Sequence, residues 1–158
     1  MVFSEIIHPE FWELFLCKWF WCGAGGWIVA SLIKMIIAWI KTREFDFVYL
    51  VSTGGMPSSH SAAVTALAFG VGYTEGFGTP LATVACGYAV ITMFDAATVR
   101  RAAGEHAKVL NMMLRDLKEF KFKPVKRFKE LLGHTRTQVL WGFVTGIIWA
   151  TIVCSLWK

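Results

Sequence analysis

The sequence lacks most of the patterns by which enzymes bind nucleotides or metals. Its 158 residues contain no P-loop, no HExxH helix, no zinc-type Cys/His spacing, no acidic metal cluster and no DxD pair in a polar loop. Neither a metal nor a cofactor is therefore expected. Cysteine is sparse and says little: Cys17, Cys22, Cys86 and Cys154 form no CxxC pair and lie in or beside apolar runs, where a thiol acts as a small hydrophobe. Charged residues are scarce as well, at 17%. The stretch "MVFSEIIHPEFWELF" has no basic n-region and carries acids, so no cleavable signal peptide is expected.

What is abundant is apolar surface. The chain is 56% hydrophobic, with eight Trp and thirteen Phe, and its mean hydropathy is +0.52. Soluble domains rarely reach such values, whereas membrane proteins do. A basic soluble protein could bind nucleic acid, but it would not carry several long apolar runs, so no nucleic-acid partner is expected. The length suits one domain, residues 1–158. The expected fold is all-α, a polytopic membrane helical bundle with about four transmembrane helices plus an amphipathic cytoplasmic helix.

The first span covers residues 11–40, as one long helix or a kinked pair bending at Gly23, Gly25 and Gly26. The second runs from about Ser59 to Tyr73 and is rich in small residues suited to close packing. The third, "LATVACGYAVITMF", ends at Asp95 and is expected to continue as an amphipathic helix towards residue 120. After a break at Pro124, the last span covers 138–157, the roughly 20 residues a crossing needs. The second and third are short for that length. A re-entrant segment near 46–58 would alter the count.

Charge placement orients the bundle. Of sixteen Lys and Arg, eleven fall between residues 98 and 136, with four acids. Lys41 and Arg43 lie in the linker after the first span, and loop 74–79 has no positive charge. The excess of positive charge on cytoplasmic loops puts 41–58 and 98–136 inside and 74–79 outside. The unusual polar residues are thus expected to gather at the cytoplasmic face of the membrane.

Three short stretches carry the candidate chemistry. In "GGMPSSHSA", Gly54 and Gly55 permit close backbone approach, and Ser58 or Ser59 can cap the helix that follows Pro57. A helix N-terminus holds phosphate well, and His60 would sit in its first turn. The stretch reads either as such a cradle or as a capped helix with an incidental histidine. In "LLGHTRTQVLWG", His134 stands at a helix start with Gln138 one turn on, able to hold one ring nitrogen and fix the tautomer. A neutral, oriented imidazole is a competent nucleophile towards phosphorus; an interfacial histidine is the plainer account. In "FDAATVRRAAGEHA", Asp95 closes an apolar span and needs a partner, Arg100 and Arg101 offer bidentate phosphate contacts, and Glu105 can pair with Arg101. Snorkelling juxtamembrane arginines are the alternative. Lys34, inside the first span, calls for an anion, a cavity or snorkelling to the interface.

In this order, "GGMPSSHSA", "MFDAATVRRAAGEHA" and "LLGHTRTQV" resemble the divergent branch of the type-2 phosphatidic acid phosphatase superfamily, whose wider membership includes vanadium haloperoxidases. The resemblance runs from about Lys34 to Gly142. Lys34 with Arg43 resembles the superfamily's Lys–Arg motif at a wider spacing. Pro57-Ser58-Ser59-His60 resembles Pro-Ser-Gly-His, and His134 with Gln138 resembles the closing His-x3-Asp. Two positions depart from the pattern: Gln138 replaces the acid, and Phe128 stands where an arginine is usual, so Arg100 and Arg101 would supply the clamp. His106, six residues after Arg100, has Leu110 in the acid's place and ranks behind His134.

The resemblance implies a metal-independent phosphatase of bacterial type, expected in the plasma membrane of a bacterium. His134 would attack phosphorus, His60 would protonate the leaving oxygen, and Lys34, Arg43, Ser58, Ser59, Asp95, Arg100 and Arg101 would line the phosphate site. A cytoplasmic site makes a membrane phospholipid phosphomonoester the expected substrate: phosphatidylglycerophosphate first, phosphatidic acid second, a polyprenyl diphosphate third. A non-catalytic protein binding anionic lipid headgroups is the reading from a different class. A transporter fits poorly, because the polar residues gather at one face and not at midplane. Four helices are few for the superfamily's usual core, which leaves room for a homodimer.

Overall fold

The structure, a computed structural model, describes residues 12–43, 55–117 and 133–157. The expected break at Pro124, the neighbourhood of Phe128 and most of the segment near 46–58 lie outside these residues. Six helices are present among the described residues: α1 (Glu13–Leu16), α2 (Lys18–Thr42), α3 (Ser59–Glu75), α4 (Pro80–Ala97), α5 (Val99–Leu117) and α6 (Arg136–Leu156).

The small residues of α3 explain its central place. It packs against α2, α4 and α6, and ten of its residues, most of them Ala, Gly, Ser or Thr, are buried. Short side chains let backbones approach closely, and that is how helices gain packing energy where lipid removes the usual hydrophobic drive. The neighbouring helices answer with glycines. A Cβ at Gly26 of α2 would fall 2.9 Å from the Ala66 side chain, and one at Gly146 of α6 would fall 2.6 Å from the Ala62 carbonyl. The Trp149 indole occupies the space beside Gly25 and donates to the Trp21 carbonyl at 3.0 Å.

Of the two alternatives for the first span, the single long helix holds: α2 runs unbroken through the glycines at 23–26 for 25 residues, and the break falls earlier, at extended Cys17. Gly25 and Gly26 serve close packing. The third span also ends more sharply than expected, since α4 and α5 are separated at Thr98, whose amide and hydroxyl both donate to the Phe94 carbonyl.

Among the described residues, three stretches are long and apolar enough to cross a membrane: Lys18–Thr42, Pro80–Arg115 and Arg136–Leu156. The 17-residue α3 is enclosed by them and does not reach that length. Large apolar side chains such as Ile36, Val84, Ile91 and Ile148 point outwards from the bundle, as lipid-facing residues do. The helices are capped as their sequences dictate: Ser58 accepts from the Ser61 amide, Thr79 from the Ala82 amide ahead of Pro80, and Thr135 from the Gln138 amide.

Candidate active site

The site forms where the ends of α2 and α4 meet the starts of α3, α5 and α6. Two backbone hydrogen bonds join these ends. The Ser58 amide donates to the Gln138 carbonyl at 3.0 Å, tying the start of α3 to α6, and the His134 amide donates to the Ala96 carbonyl at 2.9 Å, tying the approach to α6 to the end of α4. Gly133 allows that approach. Its φ is +93°, and a Cβ there would run into the Arg101 backbone, so only glycine fits.

Around this junction lies a cleft lined by His60, Thr92, Asp95, Ala96, Arg100, Gly133 and His134. His134 is 5% exposed, with its Nδ1 3.2 Å from Gln138 Oε1. That oxygen also accepts the Thr135 amide at 3.0 Å, which fixes it as the carbonyl oxygen of the side chain and not its NH₂. An amide oxygen only accepts, so Nδ1 carries the proton and the lone pair is left on Nε2. The capping box of α6 thus does two jobs: Thr135 and Gln138 satisfy each other's amides, and the same Gln138 oxygen sets the tautomer of His134. Burial holds the His134 pKa below its usual value. The hydrogen bond that His134 donates to Gln138 opposes that, and the nearby charges of His60, Lys34 and Arg100 reinforce it. The ring is neutral at pH 7.

Arg100 donates from Nε to Asp95 Oδ2 at 2.9 Å. This bond orients the guanidinium and leaves its terminal nitrogens for another acceptor. At the start of α3, the Ser58 hydroxyl accepts from the amide and the hydroxyl of Ser61, and the Ala62 amide takes the Ser58 carbonyl. The amides of Ser59 and His60 have no such carbonyl, as first-turn donors do not. Lys34 is 2% exposed and so does not snorkel into water. Its stem is covered by the polar motif, since a Cβ at Gly55 would fall 2.8 Å from Lys34 Cδ.

The remaining residues are placed less centrally. Ser58 and Ser59 are buried and do not line the cleft. Arg43 is exposed at the C-cap of α2 with φ of 59°, and Arg101 is exposed, touching the site through its backbone. Among the described residues Glu105 makes no ion pair with Arg101, and His106 is exposed on α5, away from the cleft. No three His, Cys, Asp or Glu among the described residues gather as a metal site would need. Thr92, Ala96 and Gly133 line the cleft without having been singled out from the sequence. Thr92 stands three residues before Asp95 and so shares its helical face, but the sequence does not say that this face meets His134.

Comparison with known proteins gives the chain's family. The family model described as the divergent PAP2 family matches residues 16–149. The "Uncharacterized membrane protein YuiD" of Bacillus subtilis (strain 168) is 46% identical over 132 residues, covering 77% of this chain and 84% of that protein. No solved structure matches. The chain therefore belongs to the divergent PAP2 family, phosphatase-like in type and integral to the membrane.

Proposed function

We propose that this protein is a metal-independent lipid-phosphate phosphatase working at the cytoplasmic face through a phosphohistidine. The observation that carries the reading is His134, buried and neutral, with Nδ1–H held by Gln138 and Nε2 left as a nucleophile in a cleft shared with His60 and Arg100. Nε2 attacks phosphorus as the bond to the alcohol oxygen breaks. Burial, with the charges of Arg100 and Lys34, holds the His60 pKa below its usual value. The incoming phosphate dianion opposes that, and the protonated His60 it favours gives its proton to the alcohol oxygen. Neutral His60 then takes a proton from water, whose oxygen displaces Nε2 and releases phosphate. Negative charge gathered in the transition state is met by the terminal nitrogens of Arg100, by Lys34 and by the first-turn amides of α3. Arg43, Arg101, Ser58 and Ser59 support the site's rim and backbone.

Phosphatidylglycerophosphate ranks first as substrate because it is made on the cytoplasmic face, ahead of phosphatidic acid and a polyprenyl diphosphate. A homodimer belongs to the same proposal, as a way to complete a small bundle; the mass of the detergent-solubilised particle tests it. A headgroup-binding protein without catalysis is the second reading, favoured by the neutral Gln138 in the acid's place.

The test is phosphate release by purified protein in detergent, with EDTA present, from those three substrates. Turnover that falls at least about a thousandfold in His134→Ala and is inhibited by vanadate supports the histidine mechanism. A folded protein that releases phosphate from none of them, and binds vanadate no better than phosphate, is a headgroup binder.

A further inference from the structure

We propose that Thr92 and Asp95 form a hydroxyl-reading wall of the cleft, selecting phosphomonoesters whose alcohol carries a second hydroxyl beside the phosphoester carbon. The inference rests on the phosphatase reading above and specifies its substrate class.

Both residues belong to α4 and line the same cleft as His134. Three residues apart, they share one face of the helix, with Thr92 about 4.5 Å deeper towards the membrane. The Thr92 hydroxyl donates its proton to the Tyr88 carbonyl at 2.8 Å, so towards the cleft it offers lone pairs only. Asp95 is a carboxylate, an acceptor at both oxygens, and its Oδ2 is taken by Arg100. The α4 wall therefore presents acceptors and no side-chain donor.

Acceptors repel phosphate oxygens. The phosphoryl group is driven to the opposite side, between His60, His134 and the Arg100 terminal nitrogens, and the alcohol is left against α4. Two chemistries could satisfy that wall, an ammonium or a hydroxyl. Arg100 in the cleft and Lys34, close enough for its charge to act on His134, both oppose an ammonium. A hydroxyl donates equally well and carries no charge. The depth fits a lipid substrate, with the phosphate at the mouth, the polyol a turn deeper and the acyl chains beyond. Ile91 and Phe94, flanking this wall, are 70% and 65% exposed, which leaves the outer face of α4 open to lipid. Alignment of Arg100 explains Asp95 alone; it leaves Thr92 without a role.

The experiment compares kcat/KM of the full-length protein on phosphatidylglycerophosphate and on its analogue with a 1,3-propanediol phosphate head, which lacks only the central hydroxyl. Wild type is expected to favour the hydroxylated lipid at least about tenfold, because a site built to hydrogen-bond a hydroxyl is left unpaired by the analogue. Thr92→Val should bring the ratio to within about twofold, and Thr92→Ser should keep the preference. Equal turnover of both lipids by wild type overturns the inference, even if Thr92→Val does not fold. So does a Thr92→Val protein that slows on both by one factor; either result leaves the phosphatase reading standing. Release from neither lipid, with phosphatidic acid or a polyprenyl diphosphate still hydrolysed, overturns this inference alone; release from none of these substrates overturns the phosphatase reading with it.

Discussion

Gln138 is the residue through which local structure and chemistry meet. One side-chain oxygen accepts from the Thr135 amide and sets the proton on His134, so changing its charge should change catalysis while keeping the cap. Gln138→Glu retains both acceptor contacts and adds a negative charge beside the ring, which raises the His134 pKa. The low-pH limb of kcat/KM is expected to move up by about one pH unit, and a limb that stays in place would separate His134 from the rate. The same ring makes stability depend on pH. Burial lowers its pKa in the folded state below the ordinary 6.5, so below that value the unfolded chain binds the extra proton first. The contribution is full above pH 6.5 and is lost as pH falls from 6.5 towards the lower folded value. Thermal unfolding in detergent should show Tm falling below pH 6.5, and falling less in His134→Gln.

At the scale of helices, the site depends on how closely α3 and α6 approach. Gly142 of α6 faces the Ser58 carbonyl, and a Cβ there would collide with it and lie 2.8 Å from the Ser61 side chain. Gly142→Ala is expected to cost about 1–3 kcal/mol through forced separation of the two helices, and to loosen the Ser58–Gln138 link that frames the cleft. Gly87 on α4 has nothing within 4 Å of a built Cβ, so Gly87→Ala should be neutral or slightly stabilising. Thermal unfolding of the two variants side by side checks this; equal losses would mean that the α3–α6 approach is not tight. Gly133→Ala, which combines positive φ with a backbone clash, should abolish activity more than it lowers Tm, as phosphate release measured alongside would reveal.

For the whole molecule, the orientation in the membrane decides which lipids reach the cleft. The positive charge after α4 argues for a cytoplasmic site. With native cysteines replaced, Gly78→Cys between α3 and α4 should react with an impermeant maleimide on intact cells. Thr137→Cys at the start of α6 should react only after permeabilisation. The reverse pattern would turn the cleft outwards and bring a polyprenyl diphosphate to the head of the substrate order.

Composition and hydropathy alone were enough to place this chain in a membrane, because apolar runs of spanning length have no other stable use. Local chemistry also sufficed for the helix start at Ser59, while the spans expected from 81 and 138 begin slightly earlier, at Pro80 and Arg136, where Thr79 and Thr135 cap them. The pairing of His134 with Gln138 follows from the cap of α6, with His134 just before the Thr135 N-cap and Gln138 in the first turn, and the Asp95–Arg100 pair from their closeness along the chain. Other features depend on which helix faces meet, and one-dimensional patterns do not encode that. The glycines at 25 and 26 could have bent a helix and instead admit Trp149, Ala62 and Ala66. Lys34 could have reached the interface and is instead covered beside Gly55. Thr92 became part of the cleft only when Gly133 let the chain press against Arg101 and bring His134 under the Ala96 carbonyl. The sequence by itself determined the membrane, the helices and the reactive residue types; close packing around α3, possible only where side chains are small, decided which of those residues share one cleft.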